Sequence, residues 1–579
     1  MNKNKLYNKL LTVVSLISIT GTIFLLRWIF FQQIDLSYLD NLYSFSQWSI
    51  PLSSRIMGDT YLYLHSGTQL IISSFEPFMI NPETPIFGKL LFGLSINKFG
   101  NPHLILIFSL LILLVTLNSI GKKFFKLDKW HRTLLILLAG TSPIILEQIT
   151  TPLLDLPQTT LFFIHLYFLL SAGISKQKNK SILYLVTSGI ALGAMTATKI
   201  ALYLPLIFLI DSWYLWKKKK LSLMIGIILT SALTYTLVYS PYIIKHGIIN
   251  WLKAQKWMLN FYFNSDVIST PGMILITAFT GWYKGWWGSG WERITAWSGS
   301  WGIGILATIG ITIEHFIKKK KVSDEYLYTL FIVLIILIPL LIIPFWPRYF
   351  VFFIPLFWLN LIAWIKNKKI ILLLLLFPLL SLFIIGMNSY KFNQNNFYSL
   401  WEKASYEDMY EQFSFEHKNK YSRKEWTANK LKDLKEINTY KLEVSQEKPQ
   451  KITFNRKTQP IKVTKTGFKK VTTTTYQLEW KIERGLWKLN SFNEIQNKTE
   501  DINAHSKELG TLCINPTKVR DWSEPYQQVS KLLKITAEEV SSKTMKLAPR
   551  NYCIPIGEFS LTSKVDIIFK PGVNYISFD

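Results

Sequence analysis

Long apolar runs recur along the first two thirds of the chain, separated by polar stretches rich in lysine. Runs of about the length that crosses a bilayer, roughly 17 to 25 residues, begin near Leu10, Pro102, Arg132, Leu156, Ser181, Ile200, Leu221, Trp301, Tyr326, Tyr349 and Ile370. The pattern predicts an α-helical multi-pass membrane bundle of about eleven spans over residues 1–387. Two of its polar connections are large, residues 32–101 and 241–298. After Met387 the apolar runs stop. Trp401 to Leu434 places Glu, Lys, Tyr and Trp at helical spacing, which predicts a helical linker over 388–440. Lys451–Phe454, Ile461–Thr464, Val471–Ile482 and Val565–Phe569 alternate or use β-branched residues, which predicts a β-rich (α+β) domain over 441–579.

The polar stretches also orient the bundle. Lys3/Lys5/Lys9, Lys122 to Arg132, Lys176/Lys178/Lys180, Lys217 to Lys220, Lys318 to Lys321 and Lys366/Lys368/Lys369 fall after alternate spans. Lys/Arg excess marks cytoplasmic connections, so the N-terminus is expected in the cytoplasm and the C-terminal domain outside it. The first run is long enough to span and has no small-residue cleavage site after it, so it reads as a retained anchor rather than a signal peptide. Composition agrees with a plasma-membrane protein: 49% of residues are hydrophobic and 15% aromatic. The formal net charge of +28 is explained by the cytoplasmic clusters, and nucleic acid is not an expected partner.

Five charged residues stand where hydrocarbon would exclude them unless they face a cavity or one another. They are Asp59, Lys89, Asp155, Lys199 and Arg348, all expected at the outer mouth of the bundle. Such a set suits group transfer from a lipid phosphate. Lys89, Lys199 and Arg348 would neutralise the phosphate that leaves, and Asp59 or Asp155 would take a proton from an acceptor hydroxyl. A single inverting displacement needs no covalent nucleophile. The bland alternative is that each charge snorkels to the interface or pairs with a neighbour.

These residues also carry a resemblance. The Pro85-Ile86-Phe87-Gly88-Lys89-Leu90-Leu91 block, followed by Lys98-Phe99-Gly100, resembles the His-Pro-Pro-Leu-Gly-Lys block in the first outer loop of protein O-mannosyltransferases and related lipid-linked sugar transferases. Asp59 stands in the place of that family's first-loop acid. The Asp155 turn, the small-residue span end at Lys199 and Pro347-Arg348-Tyr349 follow in matching order. The resemblance implies a type C glycosyltransferase fold with an outward-opening site and a polyprenyl-phosphate sugar donor, mannose among the sugars it suggests. It makes Asp59 the catalytic base or acceptor-binding acid and Lys89 a donor-phosphate ligand. Two departures stand out: Thr60 follows Asp59 where the family has a second acid, and Thr84 replaces the motif's His. Glu83 or Asp155 would have to compensate.

Glu83 and His65, with Trp286, Trp287 and Trp291, are the candidates for contacts to acceptor or sugar. The segment 281–301 holds six tryptophans, which reads either as an aromatic belt at the interface or as a platform for a sugar ring or prenyl chain. No His/Cys cluster has metal spacing and no phosphate-cradling loop is present, so no cofactor is required, though a divalent ion could assist. The expected partners are a polyprenyl-phosphate sugar, membrane lipid, and a protein, lipid or polysaccharide acceptor. Cys513 and Cys553, the only cysteines, would form a disulfide outside the cytoplasm, or else lie buried as free thiols. Two other functional classes stay open: a flippase for lipid-linked saccharide, and a membrane-anchored glycan-binding protein.

Overall fold

The structure, a computed structural model, describes the chain except residues 1–2, 32, 35, 45, 47, 49–56, 74, 200–202, 265–269, 286–289, 319–321, 366–367, 391–393, 403, 405, 411, 437–440, 447–450, 453–455, 467–469, 484–485, 502–510, 515–544, 549–550, 556–572 and 577–579. Helix α1 (Lys3–Leu26) leads into a first polar connection that folds as α2 (Leu36–Ser44), α3 (Asp59–Ile72), α4 (Pro77–Ile80) and α5 (Phe87–Phe99). The bundle continues with α6 (His103–Lys123), α7 (Lys129–Gly140), α8 (Pro143–Thr150), α9 (Asp155–Ile174), α10 (Lys178–Thr198), α11 (Leu204–Lys217) and α12 (Met224–Val238). The second large connection holds α13 (Ser240–His246), α14 (Ile248–Asn264), α15 (Met273–Thr280) and a hairpin of β1 (Trp282–Lys284) with β2 (Trp291–Arg293). Helices α16 (Ser300–Lys318), α17 (Asp324–Leu337), α18 (Phe350–Trp364), α19 (Lys368–Leu374) and α20 (Leu376–Tyr390) complete it.

Among the described residues, eight helices are long and apolar enough to cross a membrane, as in a multi-pass membrane protein. Hydropathy alone predicted about eleven. The third run breaks at Pro143 into α7 and α8, bent by 50°, because proline cannot donate to the preceding turn; the pair would make a ninth span. At 14 residues, α11 rises only about 21 Å, short of the roughly 30 Å hydrocarbon layer. The apolar helix Leu372–Ile384 is also shorter than a full span.

Burial separates central helices from peripheral ones. Nearly all of α18 is buried, and it packs against α9, α16 and α17. By contrast α1, α6 and α12 present Leu16, Phe24, Leu111, Val115, Leu229 and Leu233 outward, as a lipid-facing surface would. Small residues allow close approaches. A Cβ on Gly67 of α3 would sit 2.1 Å from the Lys89 carbonyl oxygen of α5, and one on Gly193 of α10 would sit 2.4 Å from the Ser231 carbonyl oxygen of α12. The two ends of the bundle differ chemically. At one, Lys123 donates to Ser171, Lys220 donates to the carbonyls of Ala172 and Ser175, and Lys218 pairs with Asp324 and Glu325, so lysines satisfy the free carbonyls at the end of α9. Asp155 lies at the other end of α9, a helix of 20 residues.

The C-terminal part begins with α21 (Gln394–Glu402), α22 (Tyr406–Tyr410), α23 (Phe415–Lys420) and α24 (Arg423–Glu436). This stretch is helical as the spacing predicts, but it is no free-running linker. Phe397, Trp401, Tyr406, Met409 and Trp426 share one buried core with Leu478, Trp480 and Leu489 of the sheet that follows. That sheet is antiparallel, ordered β3 (Lys441–Gln446), β5 (Arg456–Thr466), β6 (Lys470–Glu483), β7 (Leu486–Asp501), with β4 (Lys451–Ile452) also on β5. A second sheet has the order β11-β8-β10-β9, from β8 (Thr511–Ile514), β9 (Met545–Ala548), β10 (Asn551–Pro555) and β11 (Val573–Ile576). Its register sets Cys513 opposite Cys553 on antiparallel neighbours. The strand expected at Val565–Phe569 lies outside the described residues.

Candidate active site

Four helix ends converge at the mouth away from the lysine-rich end. Asp59 opens α3 and Asp155 opens α9, where a negative charge is favoured by the helix dipole. Lys199 caps the end of α10, its carbonyl accepting a 3.0 Å hydrogen bond from Gln158 Nε2. Arg348 stands in the 3-10 turn Pro347–Tyr349 that enters α18. Gly88 lets α5 close over this point, since a Cβ there would meet Leu154 Cδ2 at 2.6 Å and Thr198 Cγ2 at 2.8 Å.

The side chains form one alternating chain of charge. Arg348 Nη2 lies 2.7 Å from Asp59 Oδ2, Arg348 Nε lies 3.6 Å from Asp155 Oδ2, and Lys199 Nζ lies 2.5 Å from Asp155 Oδ1. Two acids and two cations balance, so the cluster is neutral overall. Lys199 also sits 5.0 Å from the centre of the Tyr349 ring, and Arg348 5.6 Å from that of Trp346. Exposure is graded: the side chain of Asp59 is 39% exposed, while that of Asp155 is 7% exposed. Of the two carboxylates, Asp59 is the more accessible.

The expected residues do not all join this cluster. Lys89 is fully buried, and its ammonium donates to the carbonyls of Asn81 and Thr84, each at 2.7 Å. Through these two bonds it holds the Asn81–Thr84 turn. His65 is turned to α2, with Nε2 3.0 Å from Asp40 Oδ1 and its ring stacked on Tyr43 at 4.3 Å. Glu83 is half-buried in the turn that Lys89 holds. Trp291 is exposed on β2, opposite Lys284, and Trp286 and Trp287 lie outside the described residues. Among the described residues no group of three or more His, Cys, Asp or Glu could hold a metal ion, and both carboxylates of the cluster already face cations.

Sequence reasoning missed four aromatic residues. Tyr63 lies one turn after Asp59 on α3; burial pushes its phenol well above the usual range, and the Asp59 carboxylate adds to the effect. Tyr262, from α14, is raised likewise by burial and then by Glu83, with Asp59 and Arg348 also acting on it. The spacing of Tyr63 from Asp59 was a usable signal, whereas nothing local ties Tyr262 to the site. Trp346 and Tyr349 flank Arg348. Trp346 also meets Tyr283 of the tryptophan-rich hairpin edge-on at 5.7 Å.

The chain matches no protein-family model and no curated protein. Solved structures similar to it include two of one protein. ArnT from Cupriavidus metallidurans in the apo state is 15% identical, over 64% of this chain and 68% of that one, with a TM-score of 0.41. ArnT from Cupriavidus metallidurans bound to undecaprenyl phosphate is 14% identical, over 65% of this chain and 69% of that one, with a TM-score of 0.42.

Proposed function

We propose that the protein is an integral-membrane glycosyltransferase that moves a sugar from a polyprenyl-phosphate donor to an acceptor hydroxyl outside the cytoplasm. The observation that carries this reading is the more accessible carboxylate of Asp59, held 2.7 Å from Arg348 beside the more buried Asp155–Lys199 pair. The donor's phosphate oxygens compete with Asp59 for the Arg348 guanidinium. Asp59, released, accepts the proton of the acceptor hydroxyl as its oxygen bonds to the sugar's anomeric carbon. The bond from that carbon to the phosphate oxygen breaks in the same step, and polyprenyl phosphate leaves as an anion neutralised by Arg348 and Lys199. Inversion at the anomeric carbon follows from one displacement. Asp155 keeps Lys199 and Arg348 in place.

The test uses purified full-length protein in lipid, offered a panel of radiolabelled polyprenyl-phosphate sugars with and without peptide, lipid and polysaccharide acceptors. Sugar-dependent release of polyprenyl phosphate that is lost in Asp59→Asn is the expected result, and the panel names both sugar and acceptor class. Transbilayer movement of intact donor without release would replace this reading with that of a flippase.

A further inference from the structure

We infer that the C-terminal domain is a positioning element for Asp59, acting through Leu62. The inference rests on the reading of Asp59 as the base. Helix α3 starts at Asp59 with Gly58 as its N-cap, a residue with no side chain of its own to cap the first turn, and a Cβ on Gly58 would meet nothing within 4 Å. An uncapped start after a glycine frays unless tertiary packing holds it. The packing on this side of α3 lies in a core that Leu42 of α2 and the C-terminal domain share. Met57 and Leu62, which bracket Asp59, are buried in the same continuous core as Phe397, Trp401, Trp426 and Trp480.

The rest of α3 is held from other sides. Gly67 meets the backbone of α5, and His65 and Gln69 both hydrogen-bond Asp40 of α2, which in turn packs against α24. The first turn, whose Asp59 carboxylate meets Arg348, places Leu62 in the core shared with the C-terminal domain, while Tyr61 also packs against the core of the bundle. Misplacing a reacting group by about 1 Å costs about 100-fold in rate, so a loosened first turn lowers turnover without disturbing donor binding.

The experiment compares wild type, Leu62→Ala and Leu62→Met in lipid, reading polyprenyl-phosphate release and amide hydrogen exchange in the same preparations. In Leu62→Ala, kcat falls about 10- to 100-fold with the donor KM within about twofold. Exchange over residues 59–63 speeds up while strands β5, β6 and β7 keep their protection, and Leu62→Met restores both. Wild-type turnover or wild-type exchange at 59–63 in Leu62→Ala overturns the inference, as does exchange that rises equally across the sheet. If wild type releases polyprenyl phosphate from no donor, the glycosyl-transfer reading fails by itself, and the exchange data still decide whether the domain holds the first turn.

Discussion

Replacing Arg348 with Met keeps the bulk of the side chain and removes its charge from between two carboxylates. The guanidinium contacts Asp59 at 2.7 Å and Asp155 at 3.6 Å. With charge centres about 4 Å apart and an effective dielectric of about 20, each contact is worth about 4 kcal/mol of gross attraction. Desolvation offsets much of this, and Asp59 is partly exposed, so the loss in stability should fall toward the low end of the roughly 3–5 kcal/mol seen when one partner of a buried pair is removed. The larger effect is on transfer. Lys199 alone would then face two carboxylates, and the departing phosphate would lose its guanidinium partner, an electrostatic loss of about 3–4 kcal/mol or roughly 100- to 1,000-fold in kcat/KM. Arg348→Lys retains the charge but not the planar fork and should recover part of that loss. The assay is release of labelled polyprenyl phosphate against donor concentration, with thermal unfolding as the control for structure. Turnover by Arg348→Met within about threefold of wild type, in folded protein, would refute the role given to Arg348.

Gly67→Ala should destabilise the protein by about 1–3 kcal/mol or more, because the new Cβ would lie 2.1 Å from the Lys89 carbonyl oxygen and neither backbone can turn aside. Gly58→Ala, with open space around it, is the matched control, and a melting temperature equal to wild type for both would contradict the close contact between α3 and α5. Lys89→Met leaves the Asn81 and Thr84 carbonyls without that donor, at about 1–3 kcal/mol; unchanged melting with only a raised donor KM would instead put Lys89 on the phosphate. Lys430, enclosed by Trp401, Tyr476 and Phe492, has its pKa pushed down by burial to about 8. The unfolded chain holds that proton to about 10.5, so it binds more protons between these values and domain stability rises with pH across that window, by up to about 3 kcal/mol. Urea unfolding of the domain followed by tryptophan fluorescence between pH 7 and 10.5 checks this; a slope that survives in Lys430→Met would assign it to other groups.

What the sequence determined by itself was whatever depends on neighbours along the chain. Apolar run length sets the expectation of a membrane half ending near Met387, because the cost of placing a segment in hydrocarbon is close to a sum over its own residues. Residue type and location singled out Asp59, Lys89, Asp155, Lys199 and Arg348 for the same reason: a charge near a span end has few tolerable environments. Tertiary structure alone decided which of these charges meet. Asp59 and Arg348 come from helix ends far apart in the chain, so no local pattern encodes their contact. The ammonium of Lys89 donates to two loop carbonyls and His65 pairs with Asp40, contacts that satisfy buried polar groups. Helices 394–436 became part of a folded core because their aromatic residues found the face of a sheet formed later in the chain. Local free energies of transfer and propensity are written residue by residue, while pairing and packing are properties of the closed fold.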